Sequence, residues 1–274
     1  MKLARFLTAV AFLVGGGCSA PPGPVARSEA IAEIARGSYT APAAGGAQVS
    51  FLRAGEPGGR RVVFVHGTPG AADGWADYLL DVPAGYEYFA VDRPGFGATR
   101  PQRTEPSLAA QARALEPLLR SAGGKPPILV GHSLGGPIVA WAAADFPGQV
   151  GALLILAGSL DPGLEKIHPM QPVGEWWGVR SLLPRSLRNA NRELLPLKSE
   201  LAALAPKLDG IRLPVTLVHG TADTLVPVAN VDFMRTRLTG AAPLTVRLLP
   251  NAGHFLPWEH RAEVEAALAE LASR

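Results

Sequence analysis

From residue 48 onward, apolar runs of strand length alternate with longer stretches whose apolar residues recur at helical spacing. Few folds accommodate that order. Strands are expected over Gln48–Arg53, Arg61–His66, Tyr86–Val91, Pro126–Val130, Val150–Leu156, Leu213–His219 and Leu244–Leu249. Helices are expected over Ser107–Arg120, Ser133–Asp145, Val228–Leu238 and Glu259–Leu271. Near-continuous apolar strands separated by helices imply an α/β fold, with a mostly parallel sheet covered on both faces. In such sheets the reactive groups collect at the carboxyl ends of the strands. Residues 159–209 break the alternation. They carry Pro162, Pro169, Pro172, Pro184, Pro196 and Pro206 and no clear strand, so they read as a mainly helical insertion.

The first residues read differently. Lys2 and Arg5 precede an uncharged run from Phe6 to Gly17. That run is too short to span a bilayer, which takes about 20 apolar residues, but it suits the apolar core of a signal peptide. The chain's single cysteine, Cys18, stands where the run ends, and a lone cysteine excludes an internal disulfide framework and a cysteine-rich zinc site. The stretch Leu13-Val14-Gly15-Gly16-Gly17-Cys18-Ser19 resembles a bacterial lipoprotein lipobox, with Gly15 where that family usually has Leu. The resemblance implies a signal peptide over 1–17, lipidation of Cys18 and an exported cell-envelope protein anchored in a membrane, with Ser19 resembling lipoproteins sorted to the outer membrane. Cleavage after Ala20 competes with this reading but would leave Pro21 behind the cut. An incidental small residue in an apolar leader is the other alternative. Residues 18–47, rich in Pro, Ala, Gly and Ser with a short helical hint at Ile31 and Ile34, read as a tether to a body over 48–274. The formal charge is +3, and cleavage before Cys18 would remove Lys2 and Arg5 and leave +1. No block of five or six like charges occurs, so nucleic acid is not an expected partner.

Chemistry is expected at four strand ends. Gly131-His132-Ser133-Leu134-Gly135-Gly136 lies between an expected strand and helix, the context that G-x-S-x-G requires. Side chains at 131 and 135 would clash in so sharp a turn. The turn presents Ser133 at a helix N-terminus, where developing negative charge is favoured, and leaves the Leu134 N–H as an oxyanion donor. A serine hydroxyl needs a base to take its proton and an acid to orient that base. His254, in Asn251-Ala252-Gly253-His254-Phe255, has the best context of the six histidines, and Asp223, just past the strand Leu213–His219, is the acid. The alternatives are a glycine-rich turn with an incidental serine, a loop histidine, and an aspartate capping its own turn. Asp161 is the reserve acid. In His66-Gly67-Thr68-Pro69-Gly70 the Thr68 N–H is the candidate second oxyanion donor, and His66 is expected to brace the loop. Asp92-Arg93-Pro94-Gly95-Phe96-Gly97 reads as a structured turn in which Arg93 pairs locally, with a functional role for Arg93 as the alternative.

These motifs, in this order, resemble the α/β-hydrolase superfamily over about residues 48–274. The resemblance implies Ser133 as nucleophile, His254 as base, Asp223 as orienting acid, Thr68 and Leu134 as oxyanion donors, and residues 159–209 as a cap over the site. Serine at the elbow argues against the epoxide-hydrolase and haloalkane-dehalogenase branches. The expected reaction is cleavage of a small-molecule carboxylic ester or related acyl substrate through an acyl-enzyme, with no cofactor and no metal. A C–C bond hydrolase, lactonase or acyltransferase would use the same triad, and a non-catalytic binding lipoprotein is the reading from another class. Trp176, Trp177, Leu182, Leu183 and Met170 are candidates to line the acyl pocket, and packing of the cap onto the body is the alternative for them. The four arginines 180, 185, 188 and 192 read as a solvated helix face, with an anionic substrate or lipid headgroups as the alternative.

Overall fold

The computed structural model describes residues 31, 34–166 and 171–274. Eight strands form one sheet: β1 (Ala35–Ala41), β2 (Ala47–Gly55), β3 (Arg60–Val65), β4 (Tyr86–Val91), β5 (Ile128–His132), β6 (Ala152–Leu156), β7 (Val215–Gly220) and β8 (Leu244–Leu249). Their spatial order is β1-β2-β4-β3-β5-β6-β7-β8. The β1–β2 and β2–β4 pairs are antiparallel, and every later pair is parallel. From residue 34 onward the described α-helices are α1 (Leu108–Arg113), α2 (Gly135–Asp145), α3 (Trp177–Leu182), α4 (Arg185–Leu194), α5 (Leu197–Leu204), α6 (Asn230–Arg237), α7 (Leu256–Glu259) and α8 (Arg261–Ala272).

Alternation along the strands sends side chains to two apolar layers. On β3, Val63 and Val65 join one core with Leu108 of α1, Ile138 and Trp141 of α2, and Met234 of α6. Val62 and Phe64 join the other, with Trp75, Tyr78, Leu256 of α7 and Leu268 of α8. Helix α2 enters this sandwich almost entirely, being buried from Gly135 to Ala143. That places Ser133, just before it, in the middle of the sheet's carboxyl edge.

Three boundaries differ from expectation. The tether does not extend to residue 47, because Ala35–Ala41 is an edge strand paired with β2. Its pattern is mostly exposed and holds no apolar run, which is why it resembles linker. Arg36 on this strand binds Asp92 at 2.7 Å, and Ile31 and Ile34 pack on the second core. The helix expected over 107–120 stops at Arg113, and a separate 3-10 turn, Glu116–Leu118, contains Pro117, which has no N–H to continue an α-helix. The insertion is helical, but its end belongs to the body: Leu197, Leu201, Leu204 and Leu208 are buried in the first core. Cys18, the leader and Met170 lie outside the described residues.

Candidate active site

Ser133 has φ +54°, in the left-handed region that a non-glycine residue occupies only when its surroundings impose it. The imposition is visible. The Ser133 N–H donates to the Leu156 carbonyl of β6 at 3.0 Å, and the Gly136 N–H closes back on the Ser133 carbonyl at 2.9 Å. A Cβ at Gly135 would run into the Val65 carbonyl oxygen, and one at Gly131 into that of Gly135. The elbow therefore fits only with glycine at both positions. The His66-Gly67-Thr68 loop approaches from β3, so closely that a Cβ on Gly67 would lie 2.8 Å from Ser133 Cβ and 3.3 Å from its Oγ. Among the described residues, neither the Thr68 nor the Leu134 N–H has an acceptor, and Thr68 Oγ1 is buried without a partner.

His254 and Asp223 meet across 31 residues of sequence, with Nδ1 2.7 Å from Asp223 Oδ2. A carboxylate accepts, so Nδ1 carries the proton and Nε2 is left as the basic nitrogen. The other carboxylate oxygen, Oδ1, accepts the N–H groups of Leu225 at 2.9 Å and Val226 at 2.8 Å. The turn-capping role and the histidine-orienting role thus coexist in one side chain. Burial pushes the Asp223 carboxyl up, but the His254 bond and charge and the two amides outweigh it and hold the group below the ordinary carboxylate range. Asp161 is occupied elsewhere, its Oδ1 accepting the Gly163 N–H of its own loop at 2.7 Å.

Three further histidines, His132, His219 and His66, support this arrangement. His132 donates from Nε2 to the His254 carbonyl at 2.9 Å, and its ring lies 4.8 Å from that of His254. Trp258 packs on His132 and donates to the Gly74 carbonyl at 2.7 Å, bracing the loop from the other side. His219 donates to the Val226 carbonyl at 2.9 Å. His66 bonds the Gly67 carbonyl through Nδ1 at 2.7 Å and accepts the Arg93 N–H at Nε2, so it braces the loop as expected.

These bonds suit neutral rings. Burial lowers the pKa of all three: His132 to about 3, His66 well below its ordinary value with help from the Arg93 guanidinium, and His219 also downward. The unfolded chain protonates each below about pH 6.5, whereas the native state resists until its own lower value, so stability falls as pH drops through that window. Each ring can cost up to about 1.4 kcal/mol per pH unit. Asp223 adds a loss at still lower pH, as its depressed carboxylate is finally protonated. The thermal midpoint should therefore fall steeply between pH 6.5 and 4, and a flat midpoint across that range would contradict the buried neutral assignments.

Arg93 departs from local pairing. It is fully buried and forms a two-pronged ion pair with Glu193 of α4, 100 residues away, at 2.8 and 3.1 Å. The same guanidinium donates to the Gly67 carbonyl at 2.9 Å and stacks 4.8 Å over Phe96. Gln111 of α1 completes the cluster by donating to Glu193 at 2.8 Å. One buried arginine thus links the cap to the loop that carries Thr68. The Asp92 carboxylate shapes the rest of that turn by accepting the Ala72 and Ala98 N–H groups.

Trp176 and Trp177 do not enclose a pocket. They are 66% and 85% exposed, because α3 lies on the outside of the cap and buries none of its residues. Among the described residues, no group of three or more His, Cys, Asp or Glu side chains could hold a metal ion, and no helix is long and apolar enough to cross a membrane.

A family model described as the α/β hydrolase fold matches residues 60–199. A 2-hydroxy-6-oxononadienedioate/2-hydroxy-6-oxononatrienedioate hydrolase of Pseudomonas sp is 24% identical over 239 residues, covering 73% of this chain and 83% of the relative. The dihydrolipoyllysine-residue acetyltransferase component of the acetoin cleaving system of Cupriavidus necator is 30% identical over 268 residues, covering 86% of this chain and 69% of the relative. The solved 2-hydroxy-6-oxo-6-phenylhexa-2,4-dienoate hydrolase of a Rhodococcus superposes with a TM-score of 0.69 at 18% identity, over 88% of this chain and 99% of that one. With its sheet order, its serine elbow and this match, the chain belongs to the α/β-hydrolase fold family.

Proposed function

We propose that this protein is a serine hydrolase in which Ser133 attacks a substrate carbonyl and forms an acyl-enzyme. The observation that carries the reading is the 2.7 Å bond between His254 Nδ1 and Asp223, on a loop whose backbone is held beside the strained Ser133 elbow by His132. His254 Nε2 takes the serine proton, and the N–H groups of Thr68 and Leu134 hold the tetrahedral oxyanion. Losing one such donor raises a barrier by about 3 kcal/mol. His254 then protonates the leaving group, water attacks the acyl-serine, and the same base serves the second half.

A carboxylic ester needs nothing beyond these groups, and an ester is the substrate class we assign. A second reading is favoured by the curated relatives. The 2-hydroxy-6-oxo dienoates in their names contain no ester, so hydrolysis of those compounds breaks a carbon–carbon bond. Turnover of a panel of esters graded by acyl length, run beside a 2-hydroxy-6-oxo-dienoate, separates the two. Ester turnover that exceeds dienoate turnover by at least tenfold supports our assignment, and the reverse order replaces it with the carbon–carbon reading.

We also propose that the protein is exported and anchored through Cys18 to a cell-envelope membrane. The support is the charged start, the uncharged run over Phe6–Gly17 and the small residues before the cysteine. Mass spectrometry of the mature N-terminus tests this. A diacylglyceryl mass on Cys18 is expected, and an unmodified chain beginning at Met1 or Pro21 would refute it.

A further inference from the structure

Helix α3 has the sequence Trp-Gly-Val-Arg-Ser-Leu, and no residue in it is buried. Trp177 and Leu182 are each 85% exposed and Trp176 66%, so two indoles and a leucine project from one small region of the cap. Isolated exposed apolar residues are ordinary, but a cluster with two tryptophans marks an interaction surface.

The charges around it identify the partner. Arg180 is exposed and Arg188 half-buried, whereas Arg185 is turned inward and donates to the Gly97 carbonyl at 3.0 Å. The acid nearest in sequence, Glu175, is already bound by Arg192 at 2.8 Å and Asn191 at 3.0 Å. Residues 175–192 thus hold four arginines against one acid, which leaves the apolar patch beside an excess of positive charge. Tryptophan and leucine flanked by arginine is the composition that lodges among phospholipid headgroups, where the rings lie at the interface and the guanidinium groups meet phosphate. A second feature points to the same surface. Sixteen residues lie between Cys18 and β1 at Ala35, a span of at most about 60 Å when extended. A chain anchored at Cys18 would therefore keep the cap within reach of its own membrane.

We propose that the exposed tip of the cap is a lipid-binding surface, in which Trp176, Trp177 and Leu182 insert into the headgroup region of an anionic phospholipid bilayer. The tether rests on the reading of Cys18 given above, whereas the patch itself does not. Docking turns the outer face of the cap to the membrane and adds a second contact to the N-terminal anchor.

The test uses the full-length protein carrying Cys18→Ser, so that no other thiol and no anchor interferes, with an environment-sensitive fluorophore on Ser181→Cys, in the patch, and separately on Ser273→Cys, an exposed residue just after α8. Vesicles of phosphatidylcholine and phosphatidylglycerol (7:3) should shift the Ser181→Cys emission to the blue and expose it to nitroxide-labelled lipid, leaving the Ser273→Cys probe unchanged. Adding Trp177→Ser and Leu182→Ser should reduce the shift at least threefold, and Arg180→Glu should raise the lipid concentration needed for it. Equal exposure of the two probes on vesicles would overturn the proposal. So would a blue shift that depends on protein concentration without lipid, which would mean that a second copy covers the patch. The readout involves no turnover, so it stands or falls separately from the Ser133 assignment, and the mass of the N-terminus reports Cys18 separately.

Discussion

Replacing Glu193 by alanine should destabilise the protein by about 3–5 kcal/mol, because it leaves the Arg93 guanidinium buried and uncompensated. Both side chains of this pair are essentially inaccessible to water. The cost arises from orphaning a charge, so it should largely vanish when both charges go. Arg93→Met combined with Glu193→Leu should approach wild-type stability, since a buried ion pair replaced by packed apolar groups is often neutral. Activity separates the two roles of the pair. Arg93 donates to the Gly67 carbonyl and its N–H binds His66, which together hold the loop carrying Thr68. The double variant should therefore fold but hydrolyse more slowly, with the loss in kcat rather than in KM. Urea unfolding and steady-state kinetics on the three proteins check this.

Ser133→Ala should abolish turnover, by at least about 10³-fold, while leaving the thermal midpoint unchanged. Loss of the nucleophile in a serine hydrolase leaves only the contribution of binding and the oxyanion donors. Stability should hold because the elbow is fixed by the glycines at 131 and 135 and by the bonds of the Ser133 backbone, none of which uses the hydroxyl. Asp223→Asn is the companion variant. Its amide oxygen can still accept the Leu225 and Val226 N–H groups, but its NH₂ then faces His254 Nδ1 and favours the tautomer with the proton on Nε2. The base is then occupied, and kcat should fall by roughly 10³–10⁴-fold.

Much of this site was legible in the sequence because it depends on local backbone chemistry. Ser133 sits in a turn that only glycines at 131 and 135 permit, and the runs of β3, β5 and β7 carry enough β-branched and aliphatic residues to be placed within about two residues. What escaped was decided by tertiary contact. Glu193 lies in Arg-Ser-Leu-Arg-Asn-Ala-Asn-Arg-Glu-Leu, a strongly polar helix that reads as a solvated face, and nothing local shows that Asn189 and Glu193 point inward to a loop 100 residues earlier. The absence of apolar alternation in Ala35–Ala41 hides an edge strand, since one half-exposed edge needs no buried face. Residue type alone offers Trp176 and Trp177 either to an acyl pocket or to packing of the cap, and type does not say which side of a cap a ring occupies.

The central claim is that Ser133 is a nucleophile activated by His254. Labelling with a fluorophosphonate, followed by mass spectrometry of the digested protein, tests it most directly. A single adduct is expected on the peptide containing Gly131-His132-Ser133-Leu134-Gly135, forming at least about 10²-fold more slowly in His254→Ala. No adduct at Ser133 in a protein that still turns over substrate, or labelling unaffected by loss of His254, would contradict the account.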